Sequence, residues 1–318
     1  MVSIIIPTYN RKELLTETID SILKQDYKNW ECIVVDDGGV DDTSIVMNEF
    51  SLRDSRIRYY KRPDKLIKGA NACRNYGFRL SKGDYIQWFD DDDIMLPGFL
   101  SKKVALFKPN LKLLITSGEV VDRNLNHKKF LNVFDTDNVY YDFVLGGLDV
   151  ITPTVIFTRE FLKGRALFNE SLTKCQEMEF YSRLFFKLHR DDYDVQNISL
   201  YQYRMHEDGS SYKNQLSYNP FYKTSENYAL AMNLERAIEL DDTDLIRSSY
   251  RMLINQFYRA VINKDEENLI YILEVIKQNL KAKNEKVVKV LIFLSKLSFL
   301  SSFPKFRWDK VLKKVPVN

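Results

Sequence analysis

The sequence predicts an α/β fold, a mostly parallel sheet with helices on both faces, followed by a helical C-terminal appendage. Three observations carry this. Short β-branched runs alternate with segments of helical period over the first 120 or so residues. Polar or acidic clusters stand directly after three of those runs. Beyond Tyr212 the composition turns poor in Gly and Pro, and long helical periodicities take over.

In order, Ser3 to Ile6 is a first strand ended by Pro7, and Asn10 is placed to cap a helix whose apolar face is Leu14, Leu15, Thr18, Ile19, Ile22 and Leu23. Glu31 to Val35 is a second strand closed by Asp36-Asp37-Gly38-Gly39, Asp42 to Phe50 a helix, Ile57 to Tyr60 a third strand and Ala70 to Leu80 a helix. Tyr85 to Phe89 is a fourth strand running into Asp90-Asp91-Asp92-Asp93. The order β-α-β-α-β-α-β implies parallel strands, and ligands of such sheets lie beyond the carboxyl ends of the strands. Further on, strands are expected at Leu113 to Val121 and Val155 to Thr158, and helices at Glu177 to Leu188, Tyr228 to Leu240, Asp244 to Asn263 and Glu267 to Leu280.

With 45% hydrophobic and 29% charged residues, the chain has the balance of an ordinary globular protein, and its net charge of +3 gives no reason to expect nucleic acid as a partner. Cys32, Cys73 and Cys175 lie far apart with no C-x-x-C spacing, which argues for reduced thiols in a cytoplasmic protein rather than disulfides or a zinc site. No basic n-region or cleavage site precedes the first strand, so no secretory leader is expected. The apolar stretch from Val287 to Phe303 is broken by Lys289 and Lys296 and falls short of a membrane span.

Four consecutive aspartates cannot all ionise cheaply unless a cation or hydrogen-bond donors meet them. Placed at a strand end, such hard oxygen ligands suit Mg²⁺ or Mn²⁺, which take few protein carboxylates and keep positions for phosphate oxygens. With this cluster, five segments occur in series: Val2-Ser-Ile-Ile-Ile-Pro-Thr-Tyr-Asn-Arg11, Cys32-Ile-Val-Val-Asp-Asp-Gly38, Lys68-Gly-Ala-Asn-Ala-Cys-Arg-Asn-Tyr-Gly77, Phe89-Asp-Asp-Asp-Asp93 and Tyr203-Arg-Met-His206. Together they resemble the glycosyltransferase family 2 enzymes of the GT-A fold, over about residues 1 to 210.

The resemblance implies an inverting transfer of a sugar from a nucleotide diphosphate donor, with UDP favoured, to a hydroxyl of a glycan or lipid-linked acceptor, assisted by Mn²⁺ or Mg²⁺. It assigns the donor to Pro7, Thr8, Tyr9 and Asn10, with Tyr9 against the uracil face. Asp37 would accept from the uracil ring nitrogen, Arg74 would lie near the nucleotide, and Asp90 would face the ribose and donor sugar with Asp91 beside it. Asp92 and His206 would hold the metal. The family's catalytic base follows an acidic or amide residue at a helix start, which matches Phe168-Asn-Glu-Ser-Leu-Thr-Lys-Cys-Gln-Glu-Met-Glu-Phe180 and points to Glu177, with Glu179 as the fallback. Glu in place of the family's Asp is one departure, and Gly39-Val40-Asp41-Asp42 is another. The domains expected are a catalytic one at 1–212, with a nucleotide half at 1–105 and an acceptor half at 106–212, and a helical region at 213–318. A nucleotidyltransferase fits less well, because no basic phosphate loop follows the first strand, and no G-x-G-x-x-G follows any strand. A degenerate nucleotide-sugar-binding protein is the non-enzymatic alternative; the intact Asp90, Asp92 and Glu177 argue against it.

From Lys281 onward ten basic residues meet two acidic ones, a net of +8 that leaves −5 for the rest. Three readings of this tail stay open: a solvated helical face rich in Lys, a basic amphipathic helix on an anionic membrane, peripheral to the inner face of the plasma membrane, or a face packed on the catalytic domain or a second subunit. The oligomeric state is not readable.

Overall fold

The computed structural model describes residues 1–206, 218–280, 289–293, 310 and 313. The chain divides into two compact units, Met1–Leu172 with Arg183–Lys213, and Thr173–Ser182 with Asn214–Asn318.

The first unit is built on one sheet. β1 (Val2–Thr8) lies between β2 (Trp30–Asp36) and β4 (Tyr85–Trp88), and β3 (Ile57–Lys61) forms the edge beyond β2. All three of these pairings are parallel, as the sequence predicts. β1 and β2 are buried at every residue, which is why they read as unbroken apolar runs rather than alternations. Past β4 the sheet becomes mixed. β8 (Val155–Thr158) joins antiparallel between β4 and β6 (Leu113–Val121), β9 (Tyr193–Arg204) runs parallel to β6, and β5 (Ile94–Met95) and β7 (His127–Phe130) pair antiparallel with β9 and β6. The helices of this unit include α1 (Lys12–Leu23), α2 (Thr43–Arg53), α3 (Ala70–Leu80), α4 (Phe99–Leu106), α5 (Val139–Val144) and α6 (Arg159–Leu162). Gly77 allows α3 to lie close on β1, since a Cβ there would meet Ile5 Cγ2 at 2.4 Å.

Two expectations about the first strand are corrected. The strand does not stop at Pro7 but continues to Thr8. Pairing with β4 ends at Ile5, where the Ile5 carbonyl accepts from Phe89 N, while the Thr8 carbonyl faces β2 and accepts from Asp37 N. By alternation Pro7 faces the side that β4 has already left, so its missing N–H costs no ladder bond. Nor does Asn10 cap α1. It sits at φ 52° and its side-chain oxygen accepts from Val40 N at 2.7 Å, tying the loop after β1 to the loop after β2; Arg11 is the residue at the helix start.

β1 is followed in sequence by β2 and β3 on one side, while β4 lies on the other, so the strand order reverses between β1 and β4. In open α/β sheets a crevice forms at that reversal. α1 fastens one wall of it: Thr18 Oγ1 donates to the Asp93 carbonyl at 2.8 Å, Ser21 Oγ accepts from Met95 N, and Gln25 bonds Leu96 and Leu100.

The second unit is helical. α8 (Pro220–Glu239), α9 (Thr243–Ile262) and α10 (Glu266–Leu280) are joined by short turns, which make sequential neighbours antiparallel. Asn219 and Asp242 cap α8 and α9 through their side chains. Leu230, Leu234, Leu253, Ile254, Phe257, Ile272 and Ile276 are buried in it. The first turns of α7 (Gln176–Phe185) belong to this unit: Thr173 N donates to Ser225 Oγ at 3.1 Å and Arg236 donates to Ser182 Oγ at 3.0 Å. No described helix is long and apolar enough to cross a membrane. Most of the basic tail lies outside the described residues.

Candidate active site

Where β1 and β4 part, the loops after them bring together an acidic and basic cluster. Thr8 Oγ1 donates to Asp91 Oδ2 at 2.7 Å. The Arg11 guanidinium sits between two carboxylates, 2.9 Å from Asp91 Oδ1 and 2.6 Å from Asp92 Oδ2. His206 Nε2 shares a hydrogen bond with the same Asp92 Oδ2 at 3.0 Å. Asp90 pairs with Arg74 at 2.7 Å, and Arg74, itself buried, also donates to Asn71 Oδ1 and lies 5.2 Å over the Phe168 ring. Asp92 and His206, 114 positions apart in sequence, thus meet at the sheet's switch point.

The electrostatics separate the four aspartates. Burial, with the neighbouring Asp92 charge added to it, pushes the Asp91 carboxyl up to about 7 despite Arg11 and Thr8. Asp93 is fully buried, and desolvation followed by the charges of Asp92 and Asp90 drives it well above the usual carboxylate range. It serves the scaffold: its Oδ1 accepts from Arg204 N at 3.0 Å. Burial also acts to raise Asp92, but the His206 hydrogen bond and the Arg11 charge outweigh it and hold that carboxyl below its ordinary value. Burial thus works against charge on Asp91 and Asp93, while Asp92 is held toward its charged form.

Around it, Asp37 is buried after β2. Its Oδ1 accepts from Arg62 Nε and from Gly69 N at 3.0 Å, and Oδ2 takes no hydrogen bond among the described residues. Arg62 also holds the Pro63 and Leu66 carbonyls and so shapes the loop. Tyr9 is 43% exposed, with Lys68 Nζ 4.4 Å from its ring centroid.

The sequence-predicted residues fall into two groups. Tyr9, Asp37, Arg74, Asp90, Asp92 and His206 surround the crevice. Pro7 and Thr8 are buried in β1, and Asp91, 5% exposed, has both carboxylate oxygens engaged by Thr8 and Arg11. Asn10 likewise spends its side-chain oxygen on Val40. Glu177 is half-buried in the first turn of α7, in the second unit, with Glu179 buried beside it. Sequence reasoning missed Arg11 and Arg62. Arg11 had a signal: it is a basic residue at the end of the first strand's loop, where four aspartates needed a cation. The three cysteines are free thiols, Cys32 and Cys73 buried and Cys175 partly so.

Among the described residues no set of three or more His, Cys, Asp or Glu side chains converges to hold a metal ion. The pair that is present fits a hard divalent ion all the same. Asp92 Oδ2 and His206 Nε2 are 3.0 Å apart, and adjacent ligands of an octahedron with bonds of about 2.1 Å are separated by roughly that distance. Two protein donors are also what Mg²⁺ or Mn²⁺ needs when a substrate diphosphate supplies others.

Solved structures share this architecture. TarS of S. aureus (residues 1–349), crystallised with UDP-GlcNAc, superposes with a TM-score of 0.70 over 94% of this chain and 89% of that one, at 16% identity. The mannosyltransferase PcManGT from Pyrobaculum calidifontis, solved with GDP-Man and Mn²⁺, gives 0.55 over 98% and 83%, at 14% identity. At such identities the likeness shows the fold, GT-A, which is the fold the sequence implies. Among curated proteins, the Escherichia coli UDP-Glc:alpha-D-GlcNAc-diphosphoundecaprenol beta-1,3-glucosyltransferase WfgD is 32% identical over 163 residues, 51% of this chain and 62% of that protein. The Campylobacter jejuni GalNAc(5)-diNAcBac-PP-undecaprenol beta-1,3-glucosyltransferase is 40% identical over 99 residues, 31% of this chain and 32% of that one. The chain thus spans less than two thirds of the length of these relatives. The family model described as Glycosyl transferase family 2 matches residues 3–187, more than half the chain, and the chain belongs to that family.

Proposed function

We propose that the protein is an inverting glycosyltransferase that moves a sugar from a nucleotide diphosphate, UDP favoured, to a hydroxyl of a lipid-linked acceptor. The observation that carries the reading is the Asp92 carboxylate, which meets His206 Nε2 at 3.0 Å where β1 and β4 part. The names of the relatives, which describe transfer to sugars on diphosphoundecaprenol, support the acceptor class. Within this reading the catalytic domain is 1–212 and the helical region 213–318.

Each residue then has a task. Tyr9 offers its exposed ring to the base, and Asp37 Oδ2 accepts from a ring N–H, its other oxygen being fixed by Arg62 and Gly69. Arg74 orients Asp90 toward the ribose and the donor sugar. Asp92 and His206 would hold a divalent ion, which when bound supplies Lewis-acid stabilisation of the departing diphosphate. Glu177 accepts the proton of the acceptor hydroxyl while that oxygen bonds to the anomeric carbon, and the carbon–phosphate oxygen bond on the opposite face breaks. One displacement inverts the anomeric configuration.

A thermal-shift screen tests the donor assignment. A UDP-sugar at a hundred times its dissociation constant, with Mn²⁺, stabilises the native state by about 2.7 kcal/mol, a rise of a few degrees for a chain of this size. No rise with any sugar nucleotide overturns the reading.

The basic tail from Lys281 is proposed to place the enzyme peripherally on the cytoplasmic face of an anionic membrane, near such acceptors. In liposome flotation the full chain should float with anionic vesicles and less so at high salt, while a chain ending at Leu280 should stay behind. Equal behaviour of the two removes the membrane role.

A further inference from the structure

Resting on the reading of Asp92 and His206 as metal-holding residues, we propose that Arg11 is an internal counter-ion that a divalent cation must displace, so that metal and nucleotide diphosphate enter the site together. The cluster is already neutralised from within. Arg11 bridges Asp91 and Asp92, and Arg74 pairs with Asp90. A bare Mn²⁺ therefore meets far less negative charge than four aspartates suggest.

It also meets a specific competitor. Arg11 NH1 is 2.6 Å from Asp92 Oδ2, the same oxygen His206 approaches at 3.0 Å. A cation bound to that oxygen and to His206 Nε2 requires the guanidinium to leave, or to remain as a like charge within a few ångströms in a poorly hydrated site, where repulsion is strong. A guanidinium keeps its proton throughout the physiological range, so Arg11 does not leave by losing charge. It leaves only for another anion. Its planar fork matches a phosphate as well as it matches a carboxylate, and a nucleoside diphosphate arriving with the metal supplies that anion. Thr8 keeps Asp91 in place during the exchange through its hydroxyl on Oδ2.

The exchange makes the binding of metal and nucleotide cooperative, and Arg11 is its positioning residue. Mn²⁺ binding, read by the loss of free-ion electron paramagnetic resonance signal, should be weak in the wild-type protein without nucleotide and at least tenfold tighter with UDP present. Arg11→Gln, with its fold checked by circular dichroism, should bind Mn²⁺ alone at least tenfold more tightly than wild type, and UDP should tighten it much less. Arg11→Lys keeps the charge but cannot span both carboxylates, and should bind Mn²⁺ alone with intermediate affinity. Should Arg11→Gln fail to fold, Arg11→Lys decides. A folded variant that binds Mn²⁺ alone no better than wild type overturns the exchange. The parent reading fails separately: wild type with Mn²⁺ and UDP together would then form no ternary complex, whatever the variants do with the metal alone.

Discussion

Glu177→Gln will cut sugar transfer about a hundredfold or more while leaving donor binding nearly intact, because it keeps the size and most of the packing of the side chain but cannot take a proton. Glu177 stands half-buried in the first turn of α7, and Glu179, buried two residues on, is the natural control. If Glu177 is the base, the loss appears in kcat and kcat/KM alike, since proton removal belongs to the transition state. Normal turnover in Glu177→Gln with a loss in Glu179→Gln would move the role to Glu179. NMR of the product should show the anomeric configuration inverted; retention would overturn the single-displacement mechanism for either base.

The second large effect is expected at Asp92. Asp92→Ala should weaken metal-dependent binding of a UDP-sugar by about a hundredfold, at or beyond the upper end of what the loss of a ligand-supporting group does. Calorimetry with and without Mn²⁺ reads this directly. Because Asp92 also satisfies Arg11 and His206, alanine leaves two polar groups short of a partner, so Asp92→Asn is the cleaner variant: it keeps the shape and removes the charge. Equal affinity for UDP-sugar in Asp92→Asn and wild type, with Mn²⁺ present, would refute the metal assignment.

Much of the fold was legible because the sheet centre is buried on both faces. Strands predicted at Leu113 to Val121 and Val155 to Thr158, and the helix at Ala70 to Leu80, have the bounds observed. The parallel order of β1 to β4 follows from alternating strands and helices. What alternation could not reveal was the antiparallel entry of β8 between β4 and β6, or the two-residue β5, whose existence depends on its distant partners Gln202 and Tyr201 in β9. Pro7 was read as a strand end because a proline lacks a donor, and only the pairing partners tell which side of the strand needs one.

The same division runs through the site. By itself the sequence determined the family's fold, the identity of the carboxylates and their position after a strand, since those depend on local runs of residues. What each aspartate meets was decided by tertiary structure. Asp90, Asp91, Asp92 and Asp93 are identical in sequence and adjacent, yet one pairs with Arg74, one is clasped by Thr8 and Arg11, one meets His206, and one is sealed under α1 and β9. Ionisation depends on burial and on the charges within a few ångströms, and those neighbours come from residues 8, 11, 74 and 206, which only the folded sheet brings to the same place.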